Sequence, residues 1–176
     1  MLIVAMLEDR DSFLIENAEQ FSSYSGYGRS WEYGGNFKTP AEPLRNIIVG
    51  IDASVNRFGL DAQFKEPQFS RDVYKCISGL FENAGEPFGT GGWGTGAFGC
   101  DPHLKAFQQL IACSSVGSPV FYCTFGKESL ARTIEAFCEA FKDQTVGEML
   151  AMYRKVIKDF VPKGQLLDKM IERRTK

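Results

Sequence analysis

At 176 residues, 44% of them hydrophobic, the chain is long enough for one ordinary globular core and too short to expect two. Its formal net charge of −2 excludes nucleic-acid binding through a global basic field, so an anionic ligand must be held locally. The five cysteines, Cys76, Cys100, Cys113, Cys123 and Cys138, form no C-x-x-C pair and His103 is the only histidine, which argues against a zinc site or a disulfide scaffold and implies a reducing compartment, with no metal or cofactor. Cys113 and Cys138 fall on apolar faces of predicted helices, where a free thiol serves as a small hydrophobe.

The opening "MLIVAML" is apolar, has no basic segment before it and runs straight into "EDRD", so it reads as neither a signal peptide nor a membrane span. An apolar element at the first residue is how a domain looks when cut from something longer. Glu8, Asp9 and Asp11 read as a solvated turn. "FLIENA" (Phe13 to Ala18) is a predicted strand, followed by the polar, ring-rich loop "EQFSSYSGYGRSWEYGGNF" and a turn with Pro40 and Pro43. In "NIIVGIDASV", Ile47 to Ile51 form a short apolar run typical of a strand buried on both faces, with Asp52 at its C-terminal end, where an α/β sheet places ligand groups.

Residues 70–82 predict a helix capped by Ser70, with Val73, Ile77, Leu80 and Phe81 on its apolar face. "GTGGWGTGAFG" then places six glycines in eleven positions, with no apolar strand expected to feed it. Asp101 as N-cap and Pro102 at the first helical position open a helix whose apolar face is Leu104, Phe107, Leu110 and Ile111. "PVFYCTF" is a predicted strand closed by Gly126. Two helices are expected to finish the chain, "ESLARTIEAFCEAF" and "TVGEMLAMYRKVIKDF", the second with a Thr145/Glu148 capping box and "VPKG" at its end. Glu135 and Glu139 read as solvated, and the basic tail "DKMIERRTK" reads as a solvated helix end. The alternation of strands and helices predicts an α/β layered domain.

Glycines at a helix mouth let backbone amides approach phosphate oxygens, so Gly94 to Gly99 with the Asp-Pro helix start predicts a diphosphate cradle; a ligand-free glycine turn is the plain alternative. "GTGAFG" also satisfies G-x-G-x-x-G, with Glu128 near the place of a ribose acid, which keeps an NAD-binding Rossmann oxidoreductase as a distant rival.

Four motifs, in order, carry a family resemblance over residues 1 to about 150: "EQFSSYSGY", "VGIDA", "TGGWGTGAFGCD" with "LKAFQQLIA", and "FYCTFG". This set resembles the C-terminal half of the macrodomain in poly(ADP-ribose) glycohydrolases. The resemblance implies a partial macrodomain-like three-layer α/β fold, a mixed, mostly buried sheet flanked by helices, with residues 1–176 as the C-terminal portion of the catalytic domain. It implies an ADP-ribose pocket in which Gly94, Thr95, Gly96, Ala97, Phe98 and Gly99 wrap the diphosphate and shape the ribose cavity, Tyr27 and Tyr24 pack against the ligand, and Phe125 flanks the adenosine.

The sequence departs from the family pattern at Gly92 (usually Asn), Thr95 (Cys), Cys100 (Gly) and Lys127 (Asp), and Cys100 is tolerable only without positive φ. Neither triple glycine nor Gln-Glu-Glu, the family's catalytic signature, is present. Glu19 and Asp52 sit in family motifs as structural or pocket-lining groups, and no catalytic residue is assigned. The resemblance therefore implies either polymer hydrolysis by a protein of which this chain is a part, or a non-catalytic reader or decoy. Expected partners are ADP-ribose or its polymer, no nucleic acid and no membrane, with a separate chain for the missing half or self-association through an exposed sheet edge. The resemblance also implies a role in the DNA damage response and an intracellular location, in the nucleus, the cytoplasm or both.

Overall fold

A computed structural model describes residues 7–26, 28–38, 47–55 and 59–175. The fold is α/β, helices mixed with small sheets, and it divides into two compact units, Phe13–Gly50 and the remainder, Met1–Ser12 with Ile51–Lys176.

The smaller unit holds two antiparallel ribbons. β1 (Phe13–Glu16) pairs with β4 (Ile47–Gly50), Leu14 opposite Val49. The stretch read as a loop holds two strands instead, β2 (Ser22–Ser25) paired with β3 (Glu32–Asn36), Tyr24 opposite Tyr33, with an irregularity between Ser22 and Tyr24. The apolar run at Ile47 predicted a strand covered on both faces, yet Ile47 and Ile48 are 44% and 42% exposed. Among the described residues β4 pairs with β1 alone, and since consecutive side chains point to opposite faces, both faces of β4 reach solvent here. Pro40 and Pro43 lie outside the described residues.

In the larger unit, α1 (Gln68–Leu80) begins two residues earlier than expected, behind Pro67, and Ser70 is not its cap. Instead the Ser70 hydroxyl donates to the Glu66 carboxylate inside the first turn. Phe81 leaves the apolar face and is exposed in a short 3-10 turn.

A strand does precede the glycine loop, contrary to expectation: β5 (Phe88–Gly91) pairs in parallel with β6 (Val120–Cys123), Gly91 opposite Cys123. Its four residues, two of them glycine, carry no apolar signature. Parallel pairing and the Thr90 hydroxyl bonded to Gln109 hold it in place. α2 (Pro102–Val116) links the two strands into a β-α-β unit, opening on Asp101 and Pro102 as read and closing on Gly117 at φ 69°. It is buried on nearly every side, not only along Leu104, Phe107, Leu110 and Ile111.

α3 (Glu128–Phe141) and α4 (Val146–Val156) match the sequence reading, and the Thr145/Glu148 capping box forms in both directions. The tail is helical as read, but it belongs to a separate third closing helix, α5 (Leu166–Arg174), beyond the two expected. Leu166, Leu167 and Met170 are fully buried, so only the end of the basic tail is solvated. The core is an aromatic stack joining α1, α2, α3 and α4: Phe69 on Tyr153 at 4.3 Å between ring centroids, Phe107 edge-on to Phe137 at 5.8 Å, and Phe137 on Phe141 at 4.5 Å. Cys113 is buried as expected, while Cys138 is exposed because it faces away from that stack. No described helix is long and apolar enough to cross a membrane.

Candidate functional site

The glycine loop runs from Gly92 to Cys100, between β5 and α2. Two turns shape it. The amide of Thr95 donates to the Gly92 carbonyl at 3.1 Å, and the amide of Gly99 donates to the Gly96 carbonyl at 2.9 Å; a longer bond from the Cys100 amide to Gly94 O, 3.1 Å, closes the loop on itself. Gly94 sits at φ 75°, and a Cβ there would lie 2.8 Å from that of Ala53. Cys100 does not take a positive φ, so a side chain is compatible with the backbone at that position. Its thiol is buried against the Ser54 carbonyl at 3.2 Å, and burial pushes its pKa up.

After these bonds are assigned, the amides of Gly96, Ala97 and Phe98 have no partner among the described residues, and all three residues are exposed. Three successive N–H groups on an exposed, glycine-opened turn form a local positive surface suited to an anion.

The N-terminus of α2 does not contribute to that surface. Asp101 is fully buried; its Oδ1 accepts from the Leu104 amide at 2.8 Å and its Oδ2 from the Gly164 amide at 2.6 Å. Gln63 Oε1 accepts from the Asp101 amide at 2.7 Å. The helix mouth expected to take a phosphate is thus filled by its own carboxylate. The same observation counts against the Rossmann reading, in which the pyrophosphate occupies that mouth, although β5 supplies the strand before the glycines that this reading needs. Glu128, its ribose acid, is exposed at the start of α3 and bonded to Arg132 at 3.3 Å.

Phe125 follows β6 at φ 52°, strained for a non-glycine residue, and its ring is 84% exposed. A Cβ on Gly91 would come within 2.9 Å of that ring and 2.7 Å of the Cys123 carbonyl oxygen, so the bare backbone at the end of β5 is what admits Phe125 there. Phe98 is 42% exposed on the loop itself. In the smaller unit, Tyr24 is exposed and stacks on Trp31 with 6.5 Å between ring centroids. Tyr27 lies outside the described residues.

Beneath the loop is a charge network that the sequence reading did not find. Arg71 of α1 bonds Asp9 at 3.1 Å, Asp52 at 2.5 Å and Asp72 at 2.8 Å. Lys75, fully buried, bonds Asp52 at 2.5 Å and the Glu8 carbonyl. Lys105 of α2, also buried, bonds Asp72 and lies 4.1 Å from the centroid of the Trp93 ring. Three cations thus meet three carboxylates, which keeps the cluster near neutrality, with Asp72, Lys75 and Lys105 buried and Asp52 and Asp9 reaching solvent. Burial favours the protonated form of Asp52, but the hydrogen bonds from Lys75 and Arg71 outweigh it and hold the carboxyl below its ordinary 3.8. The "EDRD" turn is solvated as read, and the exposed Asp9 carboxylate reaches Arg71 from it. The signal for the network was Lys105 within the apolar stretch "LKAF", and Arg71, Asp72 and Lys75 on a single helix.

Residues 1–132 match the family described as Poly (ADP-ribose) glycohydrolase (PARG), Macro domain fold. Among curated proteins, the chain is similar to Poly(ADP-ribose) glycohydrolase 2 of Caenorhabditis elegans, 30% identical over 83% of this chain and 34% of that protein. It is similar also to Poly(ADP-ribose) glycohydrolase 1 of Caenorhabditis elegans, 28% identical over 86% of this chain and 22% of that protein. Probable poly(ADP-ribose) glycohydrolase 2 of Arabidopsis thaliana is 26% identical over 85% of this chain and 37% of that protein. The chain thus spans roughly a fifth to somewhat over a third of the length of these relatives. With three quarters of its residues inside the matched range, the chain belongs to the poly(ADP-ribose) glycohydrolase family.

Proposed function

We propose that this chain carries the diphosphate-gripping part of an ADP-ribose site in a protein that acts on ADP-ribose polymers. The observation that supports this most directly is the run of three partnerless, exposed amides at Gly96, Ala97 and Phe98. A pyrophosphate is the anion such a turn suits, because successive N–H groups reach two or more oxygens at once. Phe98 and Phe125 supply exposed rings in the same unit for the apolar faces of the ligand, while the roles of Tyr24 and Tyr27 rest on the motif resemblance alone. The other polar groups of the loop, Thr95 and Gly99, shape it rather than remain open.

Breaking a ribose–ribose glycosidic bond requires a carboxylic acid that gives a proton to the leaving oxygen. The described carboxylates nearest the loop do not fit that role. Asp52 and Asp72 are salt-bridged, with Asp52 held ionised, and Asp101 accepts two amides as a helix cap. This favours the second reading for the chain taken alone: it binds ADP-ribose without turnover, and hydrolysis of the polymer depends on an acid from elsewhere.

Titration calorimetry of the purified chain with ADP-ribose and with NAD tests the proposal. Saturable heat with ADP-ribose, and no release of ADP-ribose from polymer by the same sample, is the expected result. The absence of any heat with ADP-ribose would remove the binding site. Polymer breakdown by the pure chain would remove the separation of binding from cleavage. Tighter binding of NAD with hydride transfer would restore the oxidoreductase.

A further inference from the structure

Lys105 touches three things at once. Its ammonium bonds Asp72 of α1, the same charge lies 4.1 Å from the centre of the Trp93 ring, and its Cε would be 3.4 Å from a Cβ at Gly94. Trp93 and Gly94 form the first turn of the glycine loop, whose next residues present the open amides. Lys105 and Asp72 are both almost fully buried, so water does little to weaken either the ion pair or the attraction between ammonium and indole face. Asp72 is fixed in turn by Ser54 Oγ at 2.9 Å and Arg71 at 2.8 Å, and Arg71 by Asp52 and Asp9. The loop therefore rests on a chain of charges that ends in two helices and the segment after β4.

A buried lysine is a costly way to fill space next to Cys100 and Ala53, where an apolar side chain would pack without desolvating a charge. What an apolar side chain lacks is a directional hold on an aromatic face. We infer that Lys105, oriented by Asp72, is a positioning residue for the glycine loop: it fixes the Trp93–Gly94 turn and so aims the amides of Gly96, Ala97 and Phe98. This inference rests on the reading of that loop as the ADP-ribose grip.

The test uses the whole chain with the paired substitution Lys105→Met and Asp72→Asn, which removes the ammonium without leaving an unpaired buried carboxylate. Trp93 emission is recorded in a Trp31→Phe background, since these are the two tryptophans of the sequence. ADP-ribose affinity is measured in the native-Trp31 background. The expected result is a cooperatively folded variant with altered Trp93 emission and affinity reduced roughly tenfold or more, while Lys105→Arg keeps both close to the parent. Parent-like affinity in the folded paired variant overturns the inference, whatever the emission does. Should the paired variant fail to fold, Trp93→Leu, which leaves the ion pair whole, must lose affinity to a similar extent, and retention of affinity there overturns it equally. If the parent chain itself binds no ADP-ribose, the functional reading fails, and unchanged Trp93 emission in the paired variant would then remove the brace as well.

Discussion

The hydroxyl of Thr95 donates to the Gly92 carbonyl at 2.8 Å, and a Cβ placed on Gly92 would stand 2.6 Å from that same hydroxyl oxygen. Two departures from the family pattern noted above, glycine for asparagine and threonine for cysteine, are therefore one local arrangement. The small residue at 92 makes room for the hydroxyl at 95, which in turn secures the tight turn. Gly92→Asn alone should displace Thr95 and cost about 1–2 kcal/mol, through a lost hydrogen bond and a forced rotamer. In a Thr95→Ala background the same change should cost less. Denaturant midpoints of the four proteins form a double-mutant cycle, with an expected coupling of about 1 kcal/mol. Additive effects would mean that the two positions are independent.

Ala97 is the second residue of the turn closed by the Gly99 amide on the Gly96 carbonyl, a position at which proline is well tolerated. Ala97→Pro thus deletes one open amide while keeping the turn. Thermal stability should hold or rise slightly, since proline restricts the unfolded chain. ADP-ribose affinity should drop about ten- to a hundredfold, the equivalent of one charge-assisted hydrogen bond of about 1.5–3 kcal/mol. Calorimetry and a melting curve on the same sample decide it. Undiminished affinity would show that the Ala97 amide does not meet the ligand.

The parts of this fold that could be read from the sequence are those where local chemistry and tertiary packing agree. Asp101-Pro102, the Thr145/Glu148 box and the apolar face of α2 were all visible, because capping and 3.6-residue periodicity are written within a dozen residues. β5 was not, since "FGTG" owes its extended form to β6, some thirty residues on. α5 is nine residues long without a side-chain cap, and its stability comes from burying Leu166, Leu167 and Met170 rather than from propensity. The glycine loop was legible as a place, though not in its mechanics. That Asp101 would turn inward and close the helix mouth depends on Gly164 and Gln63, which no local pattern connects to it. The charge network was hidden for the same reason, as its members come from four separate stretches of chain.

Asp101 also makes a stability prediction. Its carboxylate satisfies the Leu104 amide and, far along the chain, the Gly164 amide just before α5. Asp101→Ala removes a cap, worth about 0.5–2 kcal/mol, and strands a second partly buried donor at about 1–3 kcal/mol. A total of about 2–4 kcal/mol is expected in urea unfolding, with Asp101→Asn recovering part of it through its remaining acceptor. Hydrogen exchange should also show α5 losing protection before α3 in the alanine variant. Uniform loss of protection would mean that Asp101 does not tie α5 to the head of α2.

His103 makes the stability of the fold depend on pH in a defined window. The ring is buried at the start of α2, with Nδ1 unpartnered and 3.8 Å from Asp168 of α5. Burial lowers its pKa from the ordinary 6.5, and the opposing attraction of the Asp101 and Asp168 carboxylates does not compensate. Below pH 6.5 the unfolded chain therefore takes up a proton that the folded chain resists, and stability falls as pH drops through that value toward the folded pKa. Above it, this contribution is complete and flat. The slope cannot exceed about 1.4 kcal/mol per pH unit, one proton's worth. The lowered carboxyls of Asp52 and Glu148 lose their own contributions as pH falls through their ordinary 3.8 and 4.5 toward lower folded values, beneath the middle of the His103 decline. Melting temperatures between pH 8 and pH 5 should decline on the acid side in the parent and remain nearly level in His103→Asn. Because the sequence has one histidine, its imidazole proton resonance reports the folded pKa directly. A midpoint above 6.5 would mean that Asp101 and Asp168 outweigh burial, and the acid-side decline would then reverse into a gain.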